Sequence, residues 1–304
     1  MKALLFTGQG SQYVGMLKDV CEAYPDAMKT MNRADEILGY SISEIMFNGP
    51  IDKLKETRYT QPAIFLHSAI CFDLAKDNLD FRATAGHSIG EYSALYASGV
   101  LKFEDALNLV ALRGKLMFEA GEEVPGTMFA VINLEDDKVI EVCSRLTNNE
   151  NVVVAANFNS PGQVVISGSR DFIRENISEF KEAGARIVKE LVVSGAFHSP
   201  LMEPAKMKLE EEINKIEMSD SNNWFYPNVT ANPIKDYKEI KENLIKQLTS
   251  PVLWTQTLEN MKKNDVNVFT EIGPNKVLQG LVKRTLSDVE ISGIDKVEDI
   301  KKID

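Results

Sequence analysis

Thiols, imidazoles and positive charge are all scarce in this chain. Three cysteines, Cys21, Cys71 and Cys143, stand far apart among 304 residues. An odd, dispersed set excludes a disulfide framework, and none of its spacings is that of a zinc site. Reduced thiols in a cytoplasmic protein follow, with Cys71, in an apolar helical stretch, as a small core residue. Lysine and arginine number 34 against 45 acidic residues, a net charge of −11. That deficit argues against nucleic acid and against an anionic membrane surface as partners. No apolar run approaches the ~20 residues that span a bilayer. The apolar opening Met1–Phe6 is broken at once by Gly8-Gln9-Gly10-Ser11-Gln12. It is too short for a signal peptide and reads as a first strand. Repeats and low-complexity segments are absent. So is Gly-Lys-Ser/Thr, which leaves the Gly8–Gln12 loop outside the Walker pattern. Only three histidines exist, His67, His87 and His198, and that makes a search for a general base a matter of elimination.

What is present is a strand and helix alternation from the start, which predicts an α/β architecture with a mainly parallel sheet. Strands are expected at 2–7, Phe81–Ala85, Phe225–Thr230, Val266–Ile272 and Glu290–Ile294. Helices are expected at Tyr59–Ala75 with Pro62 in its first turn, Glu91–Ser98 stopping at Gly99, Phe103–Ala120, 200–217 and Asn275–Leu286. Gly121–Gly126 marks a boundary. Beyond it, strands at Thr127–Asn133, Val152–Ala156, Gln163–Ser167 and Arg186–Val193 alternate with helices at Glu135–Thr147 and Asp171–Ala183. Asn159-Ser160-Pro161-Gly162 is the turn between the middle strands. This β-α-β-β-α-β order is ferredoxin-like, so residues 127–193 read as a small domain inserted in a larger one.

The segment Gly86-His87-Ser88-Ile89-Gly90 reads Gly-x-Ser-x-Gly between a strand and a helix. Such an elbow holds its central residue in a strained conformation and projects the Ser88 hydroxyl above the sheet, at the positive end of the following helix. It points to a serine nucleophile in acyl transfer or hydrolysis. His67 sits inside an apolar helix and reads as packed. His87 adjoins the nucleophile, where side chains on a sharp elbow point apart, so it shapes the elbow rather than taking the proton. His198, in the loop Gly195-Ala196-Phe197-His198-Ser199-Pro200 after a strand, is the candidate base. No acidic residue announces itself as its orienter, and a backbone carbonyl can serve instead. The oxyanion hole would take one amide from Ile89 and a second donor from the Gly8–Gln12 loop. Arg113 falls on the apolar stripe Ala106, Val110, Met117 of its helix. It answers either a protein carboxylate or a substrate carboxylate, or its stem carries the charge out to water.

These separated segments resemble one family, the malonyl-CoA:acyl carrier protein transacylases of fatty acid synthesis and the related acyltransferases of polyketide synthases. The resemblance rests on Gly8–Gln12, Thr60-Gln61-Pro62-Ala63, Gly86–Glu91, Arg113, Asn157–Gln163, Ala196–Ser199, Asn228-Val229-Thr230 and Gly273-Pro274, in order along nearly the whole chain. It implies an α/β-hydrolase-like core over 1–126 and 194–304 with the ferredoxin-like subdomain at 127–193 and the active site between them. It also implies a ping-pong cycle through a malonyl ester on Ser88, with His198 as base and Gln9 and the Ile89 amide as oxyanion hole. Arg113 would clamp the malonyl carboxylate, and Gln61, Phe197, His87 and Asn157 would line the substrate site. Gln247 matches the position whose backbone carbonyl orients the histidine. The bulk of Phe197 would crowd an α-methyl branch, a filter worth ~1–3 kcal/mol.

The implied partners are a coenzyme A thioester and an acyl carrier protein, with no metal or redox cofactor, and the implied state is a monomer. Lys276, Lys283 and Arg284 are either a patch for an acidic carrier or a solvated helix face. Two departures leave the pathway open between fatty acid and polyketide synthesis. Thr7 replaces a proline usual in the fatty-acid enzymes, and Gly195 replaces a histidine common in the polyketide motif. Rival functions are thioester hydrolysis in an editing role and a catalytically silent carrier-docking module.

Overall fold

The computed structural model describes residues 1–303. Among the described residues, nine strands form two sheets. They are β1 (Lys2–Phe6), β2 (Ala83–Gly86), β3 (Gly126–Ile132), β4 (Val153–Ser160), β5 (Gln163–Ser169), β6 (Ile187–Glu190), β7 (Trp224–Phe225), β8 (Val268–Ile272) and β9 (Glu290–Ile294). The larger sheet has the order β7-β2-β1-β8-β9 and is parallel throughout. Its central strand β1 is an unbroken apolar run because both faces are covered, as a buried parallel strand requires. Leu4 and Phe6 pack into one core and Ala3 and Leu5 into the other. The smaller sheet is antiparallel with the order β4-β5-β3-β6, the ferredoxin-like arrangement. It has its own core around Phe129, Val131, Ile166 and Phe180.

Several elements differ from expectation, each for a local reason. The long helix begins at Thr57, so Pro62 lies in its second turn and not its first. Of the expected strand Phe225–Thr230 only Phe225 is in a strand, the two-residue β7 Trp224–Phe225. The chain leaves the sheet there because Asn228 spends its main-chain and side-chain hydrogen bonds on the segment around Ser88. The Arg186–Val193 strand ends at Glu190, and Leu191 and Val193 turn inward to line a cavity. The Asp171–Ala183 helix is broken at Asn176, whose side-chain amide donates to Phe172 O. A side chain that bonds the local backbone in this way competes with the helix. The β4–β5 hairpin turns tightly at Pro161-Gly162, with Gly162 at φ 69°. No helix among the described residues is long and apolar enough to cross a membrane.

Candidate active site

Ser88 follows β2 at the carboxyl edge of the larger sheet, where open parallel sheets place their ligands. Its φ is 52°, in the left-handed region that side chains avoid. The flanking glycines make that geometry possible. A Cβ on Gly86 would lie 1.9 Å from Gly90 C, and one on Gly90 would lie 2.2 Å from Phe6 O. Asn228 ties the turn together: its Oδ1 accepts the Ser88 amide at 2.8 Å and its Nδ2 donates to Gly86 O at 2.7 Å.

The hydroxyl meets two partners. Ser88 Oγ is 2.8 Å from His198 Nε2, and Arg113 Nη2 donates to the same oxygen at 3.0 Å. His198 Nδ1 faces the carbonyls of Gln247 and Ser250 at 3.0 and 3.2 Å. Two carbonyls can only accept, so Nδ1 carries the proton and Nε2 presents its lone pair to Ser88. Burial holds the imidazole far below its ordinary range, at about 3, and the nearby Arg113 charge adds to that effect. The ring is therefore neutral at physiological pH and can take a proton from the hydroxyl.

Arg113 is buried at 1% exposure, which excludes a stem that carries its charge to water. Among the described residues it forms no ion pair. Nη1 donates to Gln61 Oε1 at 2.8 Å and Nη2 to Gln247 Oε1 at 2.9 Å, while Nε has no acceptor. Its neighbours are thus neutral amides and the face of Tyr92, 5.8 Å from the guanidinium carbon. Burial pulls its pKa down, against the pull of Tyr92 and Glu91. A guanidinium desolvated without a carboxylate is costly, and a bound anion would relieve that cost.

A cavity of about 160 Å³ opens over these groups. Gln9, His87, Asn157 and Asn159 join Ser88, Arg113 and His198 on its polar side, and Met117, Met128, Val165, Leu191, Val193 and Phe197 form its apolar wall. The smaller sheet contributes Met128, Asn157, Asn159 and Val165 from β3, β4 and β5, facing Ser88 just past the end of β2 in the larger sheet. Ile89 also borders it, one residue beyond the nucleophile. Gln9 Nε2 donates to Thr57 Oγ1 at 3.2 Å. His87 points away from the Ser88 hydroxyl: its Nε2 is 2.8 Å from Asn159 Oδ1, and burial lowers its pKa. His67 is fully buried against Asp295 at 3.1 Å, outside the cavity. Lys276, Lys283 and Arg284 are exposed, and Arg284 Nη1 donates to Gln163 Oε1 at 3.0 Å.

Two residues of this site carried no role in the sequence reading. Asn228 holds the elbow, and Glu91 lies buried beneath it with one carboxylate oxygen on the Asn228 amide and the other 2.5 Å from Gln247 Nε2. Glu91 could have been found as the single carboxylate on the short helix Gly90–Ala97, whose other residues are apolar, small or aromatic.

The acyl transferase domain family matches residues 3–303. A malonyl CoA-acyl carrier protein transacylase of Haemophilus influenzae is 40% identical over 305 residues, covering 99% of this chain and 97% of that protein. The crystal structure of an acyl carrier protein S-malonyltransferase from Vibrio cholerae superposes with a TM-score of 0.94 at 39% identity, covering 100% of this chain and 99% of the other. A malonyl-transacylase solved in complex with a type II polyketide synthase acyl-carrier protein gives 0.94 at 36% identity, covering 99% of this chain and 98% of the other.

Proposed function

The chain belongs to the acyl transferase domain family, and on that footing we propose that it is an acyl-carrier-protein S-malonyltransferase of fatty acid or polyketide synthesis. One observation carries the reading. A serine hydroxyl is shared between a neutral imidazole and a buried guanidinium that lacks a carboxylate. The imidazole supplies a base, and the guanidinium supplies a seat for the free carboxylate of a diacid.

The cycle has two halves. In the first, His198 Nε2 takes the Ser88 proton as Oγ adds to the thioester carbonyl of malonyl-CoA. The tetrahedral oxyanion is held by the Ile89 amide and Gln9, with the positive end of the Gly90–Ala97 helix behind them. The C–S bond breaks, His198 returns the proton to sulfur, and coenzyme A leaves a malonyl-serine ester. In the second, His198 deprotonates the phosphopantetheine thiol of the carrier, sulfur attacks the ester, and Ser88 recovers its proton as the C–O bond breaks. Neither half oxidises or reduces anything, so no cofactor is called for.

Arg113 holds the distal carboxylate through charge-assisted hydrogen bonds and keeps the acyl chain directed away from water. Asn157, His87 and Phe197 shape the acyl cavity and the Gln247 carbonyl orients His198, whereas Gln61, expected to line the site, lies outside that lining and instead accepts from Arg113 Nη1. We take 127–193 as a ferredoxin-like small subdomain on a core of 1–126 and 194–304. An acidic carrier would meet Lys276, Lys283 and Arg284, the enzyme acting as a monomer in the cytoplasm. The clamp favours transfer over editing hydrolysis, and the assembled Ser88–His198 pair argues against a silent docking module.

The test is intact-mass measurement after mixing with malonyl-CoA, then with a phosphopantetheinylated carrier protein. The wild type should gain one malonyl group and lose it to the carrier, whereas Ser88→Ala should gain none. A wild type that stays unmodified, or an adduct that survives Ser88→Ala, overturns the reading.

A further inference from the structure

The Gln247 side chain, not only its carbonyl, is tied into the site. Its Nε2 donates to Glu91 Oε2 at 2.5 Å and to Ser88 O at 2.9 Å, while its Oε1 accepts from Arg113 Nη2 at 2.9 Å. A carboxamide placed between a carboxylate and a guanidinium has one workable orientation. The carboxylate only accepts, so it draws the NH₂ group. The guanidinium only donates, so it needs the oxygen. Rotating the amide by half a turn would face oxygen to oxygen at Glu91 and N–H to N–H at Arg113.

The hydrogen bonds around Glu91 suit the charged form that this role requires. Both of its oxygens are met by donors, the Asn228 amide and Gln247 Nε2. A protonated carboxyl would need an acceptor, and none of its recorded partners is one. Burial pushes its pKa up to about 8 even with the two donors and the Arg113 charge pulling it down, so the hydrogen-bond geometry, and not the pKa, identifies the carboxylate as the form that fits this site. Its position also solves a charge problem. A direct Glu–Arg pair would neutralise the guanidinium and weaken its pull on a substrate carboxylate. With the amide inserted, the two charges balance at one remove and Arg113 keeps Nε without an acceptor.

We propose that Glu91 is a positioning residue for malonyl selection: it locks the Gln247 carboxamide, and the locked Oε1 aims the Arg113 guanidinium at the substrate carboxylate. The inference rests on the malonyl-transfer reading above. Glu91 touches no substrate atom and does not move the proton. It acts on the acyl group that needs Arg113, and an acetyl group has no carboxylate to aim at.

The experiment measures acylation of Ser88 and transfer to a carrier protein from malonyl-CoA and from acetyl-CoA. Glu91→Gln replaces a group that only accepts with one that can also donate, so one of the two constraints on the Gln247 amide is lost and Arg113 alone still favours its orientation. Malonyl kcat/KM should fall roughly 10²-fold, the scale of a misplaced positioning group, while acetyl transfer changes less than about threefold on the same scale. Gln247→Met, which removes the amide and keeps the length, should lose malonyl preference in the same way. The double variant should be no worse than the poorer single one, since both break one link. If Glu91→Gln does not fold, Gln247→Met alone decides. An equal loss for both acyl groups, an unchanged preference, or additive losses in the double variant would each overturn the proposal. Failure of the wild type to load malonyl would instead overturn the underlying reading, which separates the two.

Discussion

Arg113→Ala is the sharpest perturbation of this site. The guanidinium is fully buried, its hydrogen-bond partners are two glutamine oxygens and Ser88 Oγ, and Nε is unused. A malonyl carboxylate bound there would gain two hydrogen bonds to a charged donor, each worth ~1.5–3 kcal/mol. Their loss amounts to about 3–6 kcal/mol, or roughly 10² to 10⁴ in rate at a tenfold change per ~1.4 kcal/mol. The acetyl group forfeits none of this. Both acyl groups share the loss of the Arg113 contact to Ser88 Oγ at 3.0 Å. Part of that shared loss is offset, because removing the positive charge lets the His198 pKa rise and strengthens the base. The malonyl-to-acetyl preference should therefore drop by at least about 10²-fold, with acetyl acylation changing by about tenfold or less. Rates of acyl-enzyme formation from the two thioesters, followed by intact mass, read this directly. Loss of both activities by the same factor would refute the clamp and leave Arg113 as a support for the nucleophile alone.

Three further outcomes follow from the same geometry. Gly90→Ala puts a methyl 2.2 Å from the Phe6 carbonyl oxygen and 2.8 Å from that of Thr7, backbone atoms that must shift to admit it. It should cost about 3 kcal/mol or more, and a thermal melt that matches wild type would show that the elbow tolerates a side chain. Because burial holds His198 neutral down to about 3, the base form persists as pH falls. The acid limb of kcat/KM should lie well below the ~6.5 of a free imidazole, and a limb near 6.5 in a pH–rate profile would contradict it. Phe197→Ala widens the wall of the 160 Å³ cavity and should improve methylmalonyl relative to malonyl acylation by roughly 10–200-fold. A competition assay with both thioesters that shows no shift would remove Phe197 from the specificity wall.

Much of this enzyme was legible in its primary structure because the decisive signals are local. The elbow is specified within five residues, since only Gly86 and Gly90 permit the backbone approach that lifts Ser88. The alternation of β1, β2, β8 and β9 with helices indicated the parallel sheet, and the β-α-β-β-α-β order of the smaller sheet survived the shortening of β6. With three histidines, His198 could be singled out by elimination. The signals that failed were those depending on partners far along the chain. The expected strand after Trp224 stops short because Asn228 is drawn 140 residues away to the elbow. Periodicity placed Arg113 on a buried stripe but left its counter-charge undecided, and only the packed interior shows neutral amides there in place of a carboxylate. Glu91 and the Gln247 side chain were silent for the same reason. A hydrogen bond spanning 156 residues leaves no spacing to read. Composition and short motifs thus determined which chemistry the chain can perform, because strain and nucleophile are local properties. Tertiary structure alone decided which charges meet, because desolvation and amide orientation exist only once distant segments close around the site.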